Sequence, residues 1–178
     1  VVFSMEFACQ VTKMRVDMNN PTHLLNLYKE LREKFPNNEL IVTMQNKGAM
    51  FSVNNEIKVM QTMPVTEVDR TAAGDVFDGA LLYALGKGYG LEVGIRLANI
   101  AAALSTTKYG AKASIPILSD VISQYESKFG PLGVQQNVEV SSTPNVNSES
   151  QNVSVSQPSS IPEMPLPNQY SNLPPKNN

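Results

Sequence analysis

Apolar residues recur along residues 1–130 with helical spacing in some segments and with strand-like runs in others. Between Thr22 and about Lys34 they recur close to every 3.6 positions, and Pro21 stands just before them. This pattern predicts an amphipathic helix. Residues from Leu91 to about Ser105 are rich in alanine and predict a helix that can pack closely against a neighbour. Two further helices are predicted from Val76 to the glycines at 86 and 88, and from Asp120 to about Lys128.

Short apolar runs between these helices predict strands. Leu40–Met44 contains β-branched residues and is typical of a buried strand. Ala49–Val53 and Ile57–Met63 are separated by three polar residues and predict a hairpin. The chain also opens on Val1–Phe3 as though inside a buried strand. Strands that alternate with helices predict an α/β layered domain.

The last part of the sequence differs in composition. Of the 48 residues from 131 to 178, 30 are Pro, Ser, Asn or Gln, and the apolar residues there show no period. Such a segment cannot bury enough apolar surface to offset the entropy cost of ordering. We therefore predict two parts, a folded domain over residues 1–130 and a disordered tail over residues 131–178.

Charge and cysteine content narrow the class of protein. Fourteen basic and sixteen acidic residues give a net charge of −2, which favours neither nucleic acid nor an anionic membrane as a partner. No run of about 18 apolar residues suggests a transmembrane helix. Cys9 is the single cysteine, so it cannot form an internal disulfide and is interpreted as a small buried residue. These features predict a cytoplasmic protein.

The candidate functional residues cluster where an extended segment meets the predicted helix after Gly74. Ala72, Ala73 and Gly74 are small, so backbone N–H groups at this helix start can approach a phosphate. Asp75 follows directly, and two roles are open for it. It can cap the helix, or it can act as a general base beside the phosphate site.

Residues 69–80 read DRTAAGDVFDGA and closely resemble the D-T-T-[AG]-A-G-D-x-F-x-G-A signature of the ribokinase (PfkB-type) carbohydrate kinases. Similarity continues upstream in residues 41–49 and downstream in residues 95–116. The resemblance implies the three-layer α/β fold of that family. It also implies that the N-terminal half, with most sugar contacts and a lid through which members dimerise, is missing from this chain.

The resemblance implies a role for each matching residue. Asp75 would be the catalytic base, and the backbone N–H groups of Ala73, Gly74 and Asp75 would form an anion hole for the transferred phosphoryl group. Residues implied to bind the ATP nucleotide are Thr43, Gln45, Asn46, Lys47, Gly48, Gly74 and Asn99. Residues implied to hold a monovalent cation, normally K⁺, are Asp69, Thr71, Ser105, Lys108, Gly110 and Ser114.

Three departures from the family pattern qualify these implications. Where members carry an N-x-x-E motif for Mg²⁺, Ser4 and Phe7 replace the Asn and the Glu. Glu6 would face away if it lay in a strand, but could reach the metal from an irregular loop. Gln45 replaces a glycine of the turn, and Arg70 replaces a threonine and is interpreted as a solvated side chain.

Two other residues are candidates with less specific patterns. Asp78 lies three positions after Asp75, so an acid/base pair is possible, although a surface or substrate-side role is the preferred interpretation. His23 has no second ligand at metal-binding spacing and is interpreted as exposed on its helix.

The sequence thus predicts ATP-dependent phosphorylation of a sugar, with ribose at O5 as the first candidate substrate. Another sugar or a nucleoside is an alternative within the same family. A truncated, inactive nucleotide-binding module is an alternative from a different class. The 178-residue chain alone is expected not to phosphorylate a sugar, because a substrate hydroxyl would not be held near the γ-phosphate.

Overall fold

The computed structural model describes residues 1–133 of the 178-residue chain. The elements, in chain order, are β1 (Val2–Ser4), α1 (Met5–Thr12), α2 (Pro21–Lys34), β2 (Ile41–Thr43), a 3₁₀ turn (Gln45–Lys47), β3 (Ala49–Val53), β4 (Glu56–Met60), α3 (Ala73–Gly86), α4 (Leu91–Ser105) and α5 (Leu118–Phe129). The prediction of a disordered tail falls on residues that, apart from positions 131–133, lie outside the described part of the chain. None of the helices in residues 1–133 is long and apolar enough to span a bilayer.

The four strands form one sheet in the order β1-β2-β3-β4. Strands β1 and β2 are parallel, with Val2 opposite Ile41, and the connection between them contains α1 and α2. Strand β3 is antiparallel to both β2 and β4, so the predicted hairpin is confirmed, although β4 ends at Met60 rather than Met63.

Strand alternation distributes the core over both faces of this sheet. Val42 and Met50 pack with Leu27 and Leu31 of α2 in one fully buried cluster. On the opposite face, the buried residues of a second cluster are Ile41, Ala49, Phe51, Phe77, Leu81, Ile95 and Ala98. The helices therefore cover both faces of the sheet, and the predicted three-layer α/β architecture is confirmed.

Helices α3 and α4 approach closely at Gly94. A Cβ atom on Gly94 would lie 3.1 Å from Cδ1 of Leu81 and 3.5 Å from Cβ of Ala84. Helix α5 then covers the outer side of this pair, where Val121 and Tyr125 are buried with Ala84 and Leu97. Close packing of α3 on α4 matters for the site, because one end of α3 and the inner face of α4 both contribute to it.

Helix α1 was not predicted. Its N-cap is Ser4, whose hydroxyl accepts a hydrogen bond from the Phe7 N–H at 3.1 Å, and it buries Met5, Ala8 and Thr12. The expectation that Glu6 lies in a strand or an irregular loop is therefore wrong, because Glu6 is in the first turn of this helix. A Ser N-cap before apolar residues at helical spacing is the signal that identifies such a helix.

Candidate functional site

A cleft of about 850 Å³ lies between the start of α1, the turn after β2, the segment after β4, the start of α3 and the inner face of α4. It is lined by Ser4, Met5, Glu6, Thr43, Gln45, Asn46, Gly48, Gln61, Thr62, Met63, Pro64, Val65, Glu67, Arg70, Ala73, Gly74, Phe77, Asn99, Ala102, Ala103 and Thr106. The fold thus brings together most residues implied to bind a nucleotide. Lys47 is outside the lining, and its Nζ donates a hydrogen bond to Oδ1 of Asn19.

The turn after β2 lies directly against the chain that leaves β4. Gly48 has a φ of 93°, and a Cβ atom there would lie 2.0 Å from the Met60 carbonyl oxygen. Only glycine fits both the backbone conformation and the space. Gln45, at a position where a glycine was expected, also has a positive φ of 55°. Gln45 therefore keeps the left-handed conformation that glycine favours, at the steric cost of a Cβ atom.

Two hydrogen bonds join the end of β4 and the segment that follows it to α4. Asn99 is 5% exposed, and its Nδ2 donates to the Met60 carbonyl at 3.1 Å. The hydroxyl of Thr62 donates to the Asn99 carbonyl at 3.0 Å. Because Asn99 itself lines the cleft, this pair fixes the spacing between two of the cleft walls.

The N-terminus of α3 is open toward a ligand. Ala72 precedes it in a left-handed conformation with a φ of 62°, and this N-cap residue makes no side-chain hydrogen bond to the helix. The Ala73 N–H donates to the Arg70 carbonyl at 3.1 Å, whereas within residues 1–133 the N–H groups of Gly74 and Asp75 have no acceptor. Two unpartnered N–H groups at the positive end of a helix dipole can bind an anionic group.

Asp75 is exposed in the first turn of α3, at the edge of the cleft rather than in its lining. Asp78 lies one turn further along the same helix. Partial desolvation, and secondarily the negative charge of Asp75, raise the pKa of Asp78 above its ordinary value. The start of α3 therefore combines open N–H donors with a solvent-accessible carboxylate.

The Asp69 carboxylate connects the chain before α3 to the chain after α4. Its Oδ1 accepts from the Thr71 hydroxyl at 2.6 Å and the Thr71 N–H at 2.9 Å, and its Oδ2 accepts from the Gly110 N–H at 2.8 Å. The Thr71 hydroxyl and then the Gly110 N–H lower the pKa of Asp69. The N–H groups of Val68 and Asp69 also donate to the Thr106 carbonyl.

Hydrogen bonds thus connect four of the residues implied to bind K⁺, namely Asp69, Thr71, Gly110 and Ser114. Ser114 is buried, its N–H donates to the Gly110 carbonyl at 3.0 Å, and its hydroxyl donates to the Ala111 carbonyl at 3.3 Å. A carboxylate has about four acceptor positions, of which Asp69 uses three. Carboxylate, hydroxyl and carbonyl oxygens are ligands for a hard cation, so the donor set fits a monovalent ion.

For Mg²⁺ the cleft offers Glu6. Its Oε1 accepts from Nε2 of Gln45 at 3.4 Å. Phe7, at the position of the usual glutamate, is about half exposed and offers no ligand atom. Residues 1–133 contain no cluster of three or more His, Cys, Asp or Glu that could hold a metal. Magnesium commonly uses one or two carboxylates together with substrate phosphates, and Glu6 fits that mode of binding.

Sequence reasoning missed the wall formed by residues 61–67. This segment was assigned in part to the hairpin, although Pro64 is unfavourable within a strand and could have indicated its end. Arg70 was interpreted as a solvated side chain, and its side chain is exposed, but its place beside the cleft was not predicted. It lines the cleft, and its Nε forms an ion pair with Oε1 of Glu67, which lines the same wall.

Comparison with known proteins finds that the chain is similar to sugar kinases. Ribokinase of Lactococcus lactis subsp. lactis is 35% identical over 103 residues, which are 52% of this chain and 34% of that enzyme. The crystal structure of ribokinase from Thermotoga maritima is 33% identical, with a TM-score of 0.58 over 68% of this chain and 40% of that one. Fructokinase from Vibrio cholerae O395, in a form bound to fructose, ADP and calcium ion, is 25% identical, with a TM-score of 0.59 over 68% of this chain and 39% of that one.

The chain spans about a third of the length of the curated relatives that it matches. The sequence profile described as "pfkB family carbohydrate kinase" matches residues 5–118. That region runs from the start of α1 to the start of α5 and contains nearly all residues that line the cleft. The chain belongs to the pfkB family of carbohydrate kinases.

Proposed function

We propose that the protein from which this chain comes transfers the γ-phosphoryl group of ATP to a sugar hydroxyl. The observation that carries the proposal is the start of α3, where the unpartnered N–H groups of Gly74 and Asp75 adjoin the accessible Asp75 carboxylate. The cleft of about 850 Å³ beside it is large enough for a nucleotide. Family membership favours a sugar as the acceptor.

In this reaction Asp75 accepts the proton of the attacking hydroxyl. The hydroxyl oxygen forms a bond to the γ-phosphorus, the bond from the γ-phosphorus to the β–γ bridging oxygen breaks, and ADP leaves. The N–H groups of Gly74 and Asp75 stabilise the charge on the transferred group. Ala73, also proposed for this anion hole, can contribute only if its hydrogen bond to the Arg70 carbonyl opens.

The other nucleotide contacts are proposed from the cleft lining. Thr43, Gln45, Asn46, Gly48 and Asn99 all line it, which supports a nucleotide position between the turn after β2 and α4. Asn99 would present the part of its amide that the Met60 carbonyl does not engage. The position of Lys47 outside the lining gives its proposed contact no support.

Two ions are proposed as cofactors. Glu6 would hold Mg²⁺, which when bound neutralises phosphate charge. Asp69 and Ser114 would hold K⁺ together with carbonyl groups of Thr71, Ser105, Lys108 and Gly110. The Asp69 hydrogen bonds already order the loop that leads into the anion hole, and this supports a structural role for the ion.

Ribose is the first candidate substrate, because curated ribokinases match this chain at 33–36% identity. Fructose is the second, supported by the similarity to V. cholerae fructokinase in its fructose-bound form. We also propose that the protein forms a homodimer. The folded domain is proposed to span residues 1–130, and the tail residues 131–178.

The test is Asp75→Ala in the protein at its full natural length, assayed with ATP, Mg²⁺ and a panel of sugars. Loss of the base should lower kcat by about 10²–10⁴-fold and leave the Kd for ATP within a few-fold. Asp120→Ala is the matched control, because Asp120 is an exposed acid in the first turn of α5 and lies outside the cleft lining. A kcat for Asp75→Ala equal to that of the control would show that Asp75 is only a helix-terminal acid.

A further inference from the structure

The cleft has an unusual charge balance for a site that binds a polyphosphate. Its lining, as far as residues 1–133 define it, contains the carboxylates of Glu6 and Glu67 and a single basic residue, Arg70. ATP and ADP carry several negative charges, and two carboxylates alone would repel them. Any attraction by a side chain in this lining has to come from Arg70.

Arg70 is placed beside the open N-terminus of α3. Its carbonyl accepts the Ala73 N–H at 3.1 Å, so its backbone lies next to the turn that leaves the Gly74 and Asp75 N–H groups unpartnered. Ala73 and Gly74 line the cleft together with Arg70. An anion bound at the two free N–H groups would therefore lie close to the Arg70 backbone, in the cleft that Arg70 also lines.

The guanidinium group of Arg70 has N–H donors that are not engaged by residues 1–133. Its Nε is engaged by Glu67, and its two terminal nitrogens make no hydrogen bond to any group in residues 1–133. Four N–H donors of the guanidinium group thus remain in its planar fork, which matches two phosphate oxygens at once. Glu67 limits the rotation of the Arg70 side chain and raises the pKa of Arg70, which stays charged.

We infer that Arg70 is a phosphate-contacting residue of the nucleotide site, oriented by Glu67 and acting together with the N–H groups of Gly74 and Asp75. This inference rests on the proposed function. It predicts that Arg70 discriminates between phosphorylated and unphosphorylated nucleosides, since adenosine presents no group for a guanidinium fork. Such a contact adds affinity for the phosphate chain without adding affinity for the base.

The test compares Arg70→Gln with the unchanged 178-residue chain, with Kd values for ATP, ADP and adenosine measured by calorimetry. Arg70→Gln should raise the Kd for ATP and ADP about tenfold, because one charge-assisted contact is lost. The Kd for adenosine should stay within about twofold of its original value. Arg70→Lys should recover part of the ATP affinity, because an ammonium keeps the charge but not the fork. Arg70 and Glu67 form an exposed pair, so the melting temperature should change little.

Lys87→Gln is the control for net charge. Lys87 follows the last residue of α3, about 20 Å from its start along a 14-residue helix, and its Nζ lies over the Tyr83 ring. This substitution should leave all three Kd values unchanged. If Arg70→Gln binds ATP as tightly as the control does, the inference is wrong and the proposed function stands. The same holds if Arg70→Gln loses affinity for ATP and for adenosine by the same factor. If the unchanged chain binds no nucleotide, the proposed nucleotide site fails, and this inference fails with it.

Discussion

The Asp69 carboxylate accepts a 2.8 Å hydrogen bond from the backbone N–H of Gly110, a residue 41 positions further along the chain. This bond connects the segment that enters α3 to the loop that follows α4. The same carboxylate accepts two bonds from Thr71. Asp69 therefore fixes the approach to the open helix start that the proposed function uses, and this gives it a structural role that can be measured without any ligand.

Replacing Asp69 by Ala should accelerate amide hydrogen exchange at Thr71 and Gly110, because both N–H groups lose their acceptor. The pKa of Asp69 is lowered from its ordinary value of 3.8, so its stabilising effect is present above pH 3.8 and is lost as pH falls through the lower folded-state value. The difference from the unchanged chain should therefore shrink on acidification. Asp120→Ala is the control, and equal exchange rates in both variants would contradict the role given to Asp69.

Replacing Gly48 by Ala should destabilise the chain by about 2–4 kcal/mol, since the new Cβ meets backbone rather than a movable side chain and the positive φ adds strain. The distance of 2.0 Å to the Met60 carbonyl oxygen cannot be accommodated without a backbone shift. Denaturant unfolding measures the effect. Gly79→Ala is the matched control, because a Cβ on that α3 residue meets nothing within 4 Å. A similar loss in both variants would show that the approach to Met60 is not what constrains Gly48.

Replacing Asn99 by Asp should be strongly destabilising at neutral pH and less so in acid. An ionised carboxylate cannot donate to the Met60 carbonyl, and the side chain is 5% exposed. A buried group with an unmatched charge costs at least about 1–3 kcal/mol. Burial favours the protonated acid and raises its pKa, so the loss should diminish as the pH falls.

Unfolding curves at several pH values test the Asn99 prediction. Asn26→Asp, at an exposed position of α2, is the control and should show little change at any pH. A pH-independent loss in Asn99→Asp would indicate a packing defect rather than a missing donor.

Replacing Asp78 by Asn should stabilise the folded state at neutral pH. Desolvation, and then the Asp75 charge, raise the pKa of Asp78 above 3.8, so its ionisation weakens the folded state. The gain in stability of Asp78→Asn over the unchanged chain should disappear as the pH falls below the unfolded-state pKa of Asp78, because residue 78 is then neutral in both proteins. Melting temperatures at neutral pH and near pH 3.5 measure this. An unchanged melting temperature at neutral pH would show that ionisation of Asp78 does not weaken the folded state.

Sequence patterns identified the elements that carry a local signal. Helix α4 was predicted from Leu91 to about Ser105, its observed span, because alanine-rich apolar periodicity extends over its whole length. The signature around Gly74 and Asp75 located the start of α3, because the small residues that form it are contiguous in the chain. Helix α1 was missed because its eight residues give a periodic pattern little longer than two turns.

The sequence alone was enough to determine the layered α/β class, the family resemblance and the helix end that bears Asp75. Those properties depend on residues that are neighbours along the chain or repeat with a helical or strand period. Only the tertiary structure decided that Asn99 donates to Met60, that Asp69 accepts from Gly110, and that Arg70 and the 61–67 segment line the cleft. These contacts join residues that are far apart in the chain or face a wall contributed by another element, so no local periodicity encodes them.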